Sequence, residues 1–310
     1  MIAFVYTNLN EAYRSQLRQQ LPEAVEPIFR NELSAEQYQP AFRSADIVLG
    51  NPPTDWWINP PVKLQYWQLD SAGFDGYQGV RLRAQVANMG DYFAWPCAET
   101  IVAGILAHYR HIDELAILQS QRQWSGSAVR AKLGLLRRKQ VIILGSGAIG
   151  QAVRQMLLGF DCSVRLLART DPAAELHSVD ELKAALPATD LVINTLPGSA
   201  KGFFSAELIG SMQAGSVFAN VGRGSTVDEP ALIAALQTGQ LGGAVLDVTA
   251  TEPLPADSPL WTLPNVVLTQ HTAGGQPMED AGKVDLFLRN LSRFLDGLPL
   301  ENAVELGKGY

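Results

Sequence analysis

The chain has 310 residues, of which 47% are hydrophobic and 18% charged, with a formal net charge of −7. At roughly 150 residues per domain this length suggests two domains, and the apolar content excludes a disordered chain. The acidic balance argues against general affinity for nucleic acid or anionic membranes. No apolar run approaches the ~18 residues of a membrane span. The opening MIAFVYTNLN has no basic region ahead of its apolar residues and reads as a first strand, not a signal peptide. Cys97 and Cys162 show no metal or redox spacing, which fits a cytoplasmic protein with free thiols, and no metal site is expected.

In chain order, the short apolar stretches Ile2–Tyr6, Ile47–Leu49 and Tyr66–Leu69 read as strands. They alternate with Pro-rich segments around a Trp56-Trp57 pair, which together suggest a small α/β unit. A long helix is expected from about Ala98, with Ile101, Val102, Ile105, Leu106, Tyr109 and Ile112 at helical spacing. Val141–Leu144 is a continuous apolar run, as in a strand buried on both faces. Further strands read Ser163–Ala168, Leu191–Thr195, Ser216–Val221, Gly243–Asp247 and Val266–Thr269. Helices fall between them, one opened by a capping box at Ser178 to Glu181 and one bracketed by Asp228, Pro230 and Gly239. That alternation implies βαβ units and a parallel sheet. The final helix, near Lys283 to Asp296, carries Val284, Phe287, Leu288, Leu291 and Leu295 on one face, and is expected to pack back on the N-terminal unit. The boundaries expected on this reading are 1–97 plus 282–310 for a discontinuous substrate domain and 98–281 for an inserted dinucleotide-binding domain.

The nucleotide assignment rests on Val141-Ile142-Ile143-Leu144-Gly145-Ser146-Gly147-Ala148-Ile149-Gly150, a strand running through G-x-G-x-x-G into a helix. Gly145 permits the tight turn, Gly147 lets a pyrophosphate approach the backbone, and Gly150 lets helix and strand pack closely. The helix N-terminus offers its N–H groups to the phosphates. At the end of the next strand, NAD sites usually place a carboxylate for the ribose 2′-hydroxyl. Here Ala168-Arg169-Thr170 stands there, and Arg169 with Thr170 suits a 2′-phosphate. NADP(H) is therefore favoured, with NAD(H) left open through Asp171 just beyond.

Three later segments end predicted strands: Asn220-Val221-Gly222-Arg223-Gly224, Leu246-Asp247-Val248-Thr249-Ala250-Thr251-Glu252-Pro253, and Thr269-Gln270-His271-Thr272-Ala273-Gly274. With Ser71-Ala72-Gly73-Phe74-Asp75 and Ser258-Pro259-Leu260-Trp261, they make the chain resemble the D-isomer-specific 2-hydroxyacid dehydrogenases, over about residues 66 to 296. Arg169-Thr170, the small size and the Gly307-Lys308-Gly309-Tyr310 ending look most like the bacterial NADPH-dependent glyoxylate/hydroxypyruvate reductases. The resemblance implies a Rossmann-type doubly wound parallel sheet inserted into a smaller, discontinuous flavodoxin-like α/β domain. It implies hydride transfer between NADP(H) and a small 2-oxoacid or D-2-hydroxyacid. On it, His271 donates the proton, Glu252 tunes that histidine and Arg223 binds the substrate carboxylate together with N–H groups at Ala72 and Gly73. The cofactor set implied is Gly145, Gly147, Ala148, Ile149, Gly150, Arg169, Thr170, Leu196, Pro197, Val221, Asp247, Ala273 and Gly274, with Asp247 at the nicotinamide carboxamide.

Several positions depart from the family pattern. Gln270 precedes the histidine where proline is usual, the loop Gly198 to Gly202 looks short and lacks an expected threonine, and Asp161 stands where glycine is common. His108 and His111 share a helix face and read as solvated or core-edge residues. Trp56 and Trp57 fit either core packing or a loop over the substrate. The apolar long helix suggests a homodimer. Two competing functions are a non-catalytic nucleotide sensor or corepressor-like protein, and a dehydrogenase using formate or phosphite. The Arg223, Glu252 and His271 combination speaks for 2-oxoacid reduction over both.

Overall fold

The computed structural model describes residues 1–308, so Gly309 and Tyr310 of the C-terminal sequence match lie outside the described residues. Two compact units form: Met1–Phe93 with the segment from Gln276 onward, and Ala94–Gly275.

The first unit contains β1 (Ile2–Val5), α1 (Glu11–Gln20), β2 (Glu26–Phe29), α2 (Ala35–Arg43), β3 (Ile47–Leu49), β4 (Tyr66–Gln68) and β5 (Gln85–Ala87). All five strands are parallel, in the order β2-β1-β3-β4-β5, the order of flavodoxin-like sheets. Side chains alternate between the two faces. Ala3, Val5, Ile47, Leu49 and Tyr66 pack beneath Val284, Phe287 and Leu291 of the C-terminal helix. Phe4, Val48 and Trp67 pack with Phe42, Trp57 and Tyr77 on the other face. Trp57 is core: its ring stacks on Trp67 at 3.7 Å. Trp56 is half-buried, edge-on to Tyr6 at 5.6 Å.

The second unit contains α3 (Ala94–Arg110), α4 (Ile112–Ser120), α5 (Gly126–Arg130), β6 (Gln140–Leu144), α6 (Ala148–Leu158), β7 (Ser163–Leu167), α7 (Val179–Ala185), β8 (Leu191–Asn194), α8 (Ala206–Ser211), β9 (Val217–Asn220), α9 (Glu229–Gln237), β10 (Gly243–Leu246) and β11 (Val266–Leu268). The chain then returns to the first unit through α10 (Glu279–Leu295). The sheet is again all parallel, ordered β11-β10-β9-β8-β6-β7. Its strand order reverses at β6, between β7 and β8. In open α/β sheets the carboxyl end of such a switch point is where ligands bind. β8, β9 and β10 are buried along their whole length, which is why they read as unbroken apolar runs.

Local chemistry accounts for most element ends. Asp228 caps α9 by accepting from Ala231 N, and Pro230 occupies the first turn. At α7 the Ser178 hydroxyl accepts Glu181 N, but the Glu181 carboxylate reaches back to His177 N, one residue beyond the expected box. The long helix α3 begins at Ala94, so Ala98 and Glu99 lie inside it instead of opening it. Pro96 is tolerated there because the first-turn N–H groups have no intrahelical acceptor. Asp161 adopts φ +55°, the left-handed region that explains a glycine at this position elsewhere, and Arg137 grips its carboxylate at 2.7 Å. Among the described residues, no helix is long and apolar enough to cross a membrane.

Candidate active site

In the second unit, the candidate site begins at β6. Gly145 has φ +102°, which a side chain would strain. A Cβ on Gly150 would collide with the Gly145 carbonyl, so only glycine lets α6 sit this close to β6. A Cβ on Gly147 would meet nothing within 4 Å, and no side chain caps α6 at this residue. The first-turn N–H groups at Ala148 and Ile149 therefore face an open approach. This fits a dinucleotide pyrophosphate. Arg169 and Thr170 are exposed just past β7. Leu196 and Pro197 follow β8, and Val221 follows β9.

A buried polar network, which sequence reasoning missed, fixes the ends of β8 and β9. Asn194 and Asn220 are register partners. Asn194 Nδ2 donates to Asn220 Oδ1 at 2.9 Å and to Thr226 Oγ1 at 2.7 Å. Asn194 Oδ1 accepts Leu196 N at 3.2 Å, and Asn220 Oδ1 accepts Gly222 N at 3.0 Å. Asn220 Nδ2 and Thr226 Oγ1 both donate to the Arg223 carbonyl, at 3.2 and 2.6 Å. A single asparagine closing an otherwise apolar strand (LVIN, VFAN) was the available signal. Gly224 is obligatory as well, since a Cβ there would overlap the Thr249 carbonyl. It allows the Arg223 loop to touch the loop that carries Glu252.

His271 and Glu252 come together: Nδ1 and Oε2 lie 2.6 Å apart. A carboxylate only accepts, so Nδ1 carries the hydrogen and Nε2 is left for another partner. Glu252 Oε1 is held in turn by Thr249 N at 3.0 Å. Asp247 is buried and organises the histidine loop. Its Oδ1 accepts from Thr269 Oγ1 (2.6 Å), Thr272 N (3.0 Å) and Ala273 N (3.2 Å), while its carbonyl accepts His271 N (2.6 Å). Gln270 and His271 have φ values of +55° and +54°. Proline is locked near −65°, so the residue that resemblance led us to expect before His271 cannot take this conformation. Cys97 is buried in α3, and burial, then the nearby Asp247, pushes its thiol up to about 11.

Ala72 and Gly73 belong to the first unit, beyond β4. Every carbonyl of this loop is tied down: Ser71 O by Met89 N (3.0 Å), Ala72 O by Asn88 Nδ2 (2.6 Å) and Gly73 O by Ser71 Oγ (2.6 Å). The N–H groups of Ala72 and Gly73 have no acceptor among the described residues. Beside them Asp70 accepts from Thr7 Oγ1 at 2.9 Å, and burial raises its carboxyl above the usual range.

Among the described residues, no group of three or more His, Cys, Asp or Glu that could hold a metal ion occurs. The His108 ring packs directly on Gly243, and burial lowers its pKa. His111 Nδ1 lies 3.2 Å from Glu114.

The family profile for the D-isomer specific 2-hydroxyacid dehydrogenase NAD binding domain matches residues 102–273. The chain belongs to that family. It is an NAD(P)-dependent oxidoreductase of the 2-hydroxyacid dehydrogenase type. A glyoxylate/hydroxypyruvate reductase A of Salmonella heidelberg is 32% identical to it over 218 residues, 68% of each chain. Among solved structures, a D-isomer specific 2-hydroxyacid dehydrogenase family protein from Aeromonas salmonicida superposes with a TM-score of 0.84 at 27% identity, covering 98% of this chain and 99% of that one. A dehydrogenase of the same family from Xanthobacter autotrophicus, in complex with NADPH and MES, gives 0.81 at 26% identity, covering 100% and 99%.

Replacing Asn220 with alanine leaves the buried Gly222 N–H without its acceptor and takes one of its donors from the Arg223 carbonyl, which keeps Thr226. This should cost about 1–3 kcal/mol in urea unfolding.

Proposed function

We propose that this dehydrogenase reduces a small 2-oxoacid of the glyoxylate or hydroxypyruvate kind to the D-2-hydroxyacid, with NADPH as donor. The observation that carries the reading is the His271–Glu252 pair at 2.6 Å, on the same sheet edge as Arg223. The name of the Salmonella relative and the NADPH in the Xanthobacter structure support the substrate class and the cofactor.

The nicotinamide supplies the hydride when bound. Gly145, Gly147, Ala148, Ile149 and Gly150 hold the pyrophosphate through backbone N–H groups and the N-terminus of α6. Arg169 and Thr170 take the 2′-phosphate, where no acidic side chain stands at Ala168 to reject it. Leu196, Pro197, Val221, Ala273 and Gly274 line the rest. Resemblance would give Asp247 the carboxamide. Its hydrogen bonds make it first the support of the loop bearing His271.

On the substrate, the free N–H groups at Ala72 and Gly73 suit a carboxylate, and Arg223 binds it and polarises the carbonyl with its planar fork. His271 Nε2 donates the proton to the carbonyl oxygen. Glu252 keeps Nδ1 protonated and stabilises the imidazolium from which that proton leaves. A cofactor sensor without turnover has no use for this constellation.

We further propose a homodimer. Ile112, Leu115, Ile117, Trp124 and Leu135, close together in sequence, are exposed at 53%, 38%, 57%, 99% and 62%, large apolar side chains that a second copy would cover. The buried thiols of Cys97 and Cys162 suit a cytoplasmic setting.

Two experiments test these readings. Initial rates of NADPH and NADH oxidation with glyoxylate, hydroxypyruvate, pyruvate and phenylpyruvate should favour NADPH and the two smallest oxidised substrates, and Arg223→Lys should lower kcat/KM at least tenfold. Equal rates with all four acids, or unchanged kinetics in the lysine variant, would contradict the assignment. Light scattering should show a dimer that Ile117→Glu combined with Trp124→Glu converts to a monomer. A dimer that survives both changes would place the interface elsewhere.

A further inference from the structure

The corner that carries Arg169 holds two more ionisable groups. Residues 174–177 run parallel to β7 along its free edge: Ala168 N donates to Leu176 O and Leu176 N to Leu166 O, both at 3.0 Å. This brings the His177 ring to Ala168, its Nδ1 3.0 Å from the carbonyl. A carbonyl only accepts, so Nδ1 donates, and Nε2 has no partner among the described residues. The ring is exposed and held at the strand end whose next two residues are Arg169 and Thr170.

Asp171 sits in the same corner. Its carboxylate accepts Ala173 N at 2.9 Å, and that bond, with the nearby Ser146 hydroxyl of the glycine loop, holds its carboxyl below the usual range. It is therefore a negative charge beside the loop that would hold the pyrophosphate. The other charged groups around His177 are Arg169, Glu175, and Asp180 and Glu181 on the first turn of α7. Glu175 is neutralised by Arg154 at 2.7 Å and Leu166 N at 2.8 Å. Glu181 is engaged by His177 N at 2.6 Å. Asp180 lies on α7, and Asp171 is the carboxylate on the corner next to Arg169 and the glycine loop.

We propose that His177 is a specificity-determining residue for the cofactor, its Nε2 pairing in the charged form with a 2′-phosphate and offsetting Asp171. Preference for the phosphorylated dinucleotide then depends on pH. This inference rests on the Arg169 reading and adds to it. An imidazole changes charge between about pH 5 and 8. Arg169 stays charged throughout, so binding by Arg169 alone would carry no such dependence.

Calorimetric titration with 2′,5′-ADP and with 5′-AMP as probes tests it without catalysis. The quantity to follow is the ratio of the two dissociation constants, at pH about 6 and about 8. The phosphate's own ionisation near pH 6 is common to all variants and cancels between them. The wild-type preference for 2′,5′-ADP should exceed that of His177→Gln by about three- to tenfold at the lower pH, and the difference should vanish at the higher. Asp171→Asn keeps an acceptor for Ala173 N and should raise the preference at both. Identical ratios in wild type and His177→Gln at both pH values, with a loss in Arg169→Ala, would overturn the role of His177 and leave Arg169 in place. No preference for 2′,5′-ADP in the wild type would overturn both.

Discussion

The buried amide pair Asn194–Asn220 is the constraint on which the catalytic edge depends. Two parallel strands end side by side, with backbone groups that must turn out of the sheet while still buried. Leaving one such group unpaired costs about 1–3 kcal/mol. The two asparagines, with Thr226, satisfy Leu196 N, Gly222 N and the Arg223 carbonyl at once. The segments that flank the proposed nicotinamide position and the residue that would bind substrate are thus set by one network. Gly224 extends that order to the Glu252 loop, because its missing side chain lets two backbones touch.

The histidine loop is built on the opposite principle. Gln270 and His271 both occupy the left-handed region, each at a cost of order 1–3 kcal/mol. Asp247 offsets that cost by accepting three hydrogen bonds at one oxygen and a fourth through its carbonyl. The result aims His271 at Glu252. A proline before the histidine would reach a rigid loop through its ring; here a buried carboxylate supplies the rigidity. Strain held in place by surrounding bonds is common where geometry matters for chemistry.

Much of this was legible in the residues. The glycine loop carries its own geometry, since φ +102° at Gly145 and the contact of Gly150 with Gly145 O leave no other residue type. Asp228 with Pro230, and the continuous apolar strands, likewise dictated α9 and the sheet. The edge strand β2 and the three-residue β5 were not legible: Glu26-Pro27-Ile28-Phe29 and Gln85-Val86-Ala87 are too short for periodicity to show, and tertiary pairing alone makes them strands. The Asn194–Asn220 pairing was not legible: an asparagine at a strand end usually signals a turn, and only the sheet register makes the two partners. The Ala72–Gly73 loop was identified by resemblance. That its carbonyls are all engaged while two N–H groups are left open emerges only in three dimensions.

The account turns on His271 as the proton donor in hydride transfer. Its most direct test is single-turnover reduction of hydroxypyruvate by the His271→Gln variant, with NADPH binding followed separately by fluorescence. The prediction is unchanged NADPH affinity and a loss of about 10²–10⁴-fold in the reduction step. Reduction at near wild-type rates in that variant would contradict it.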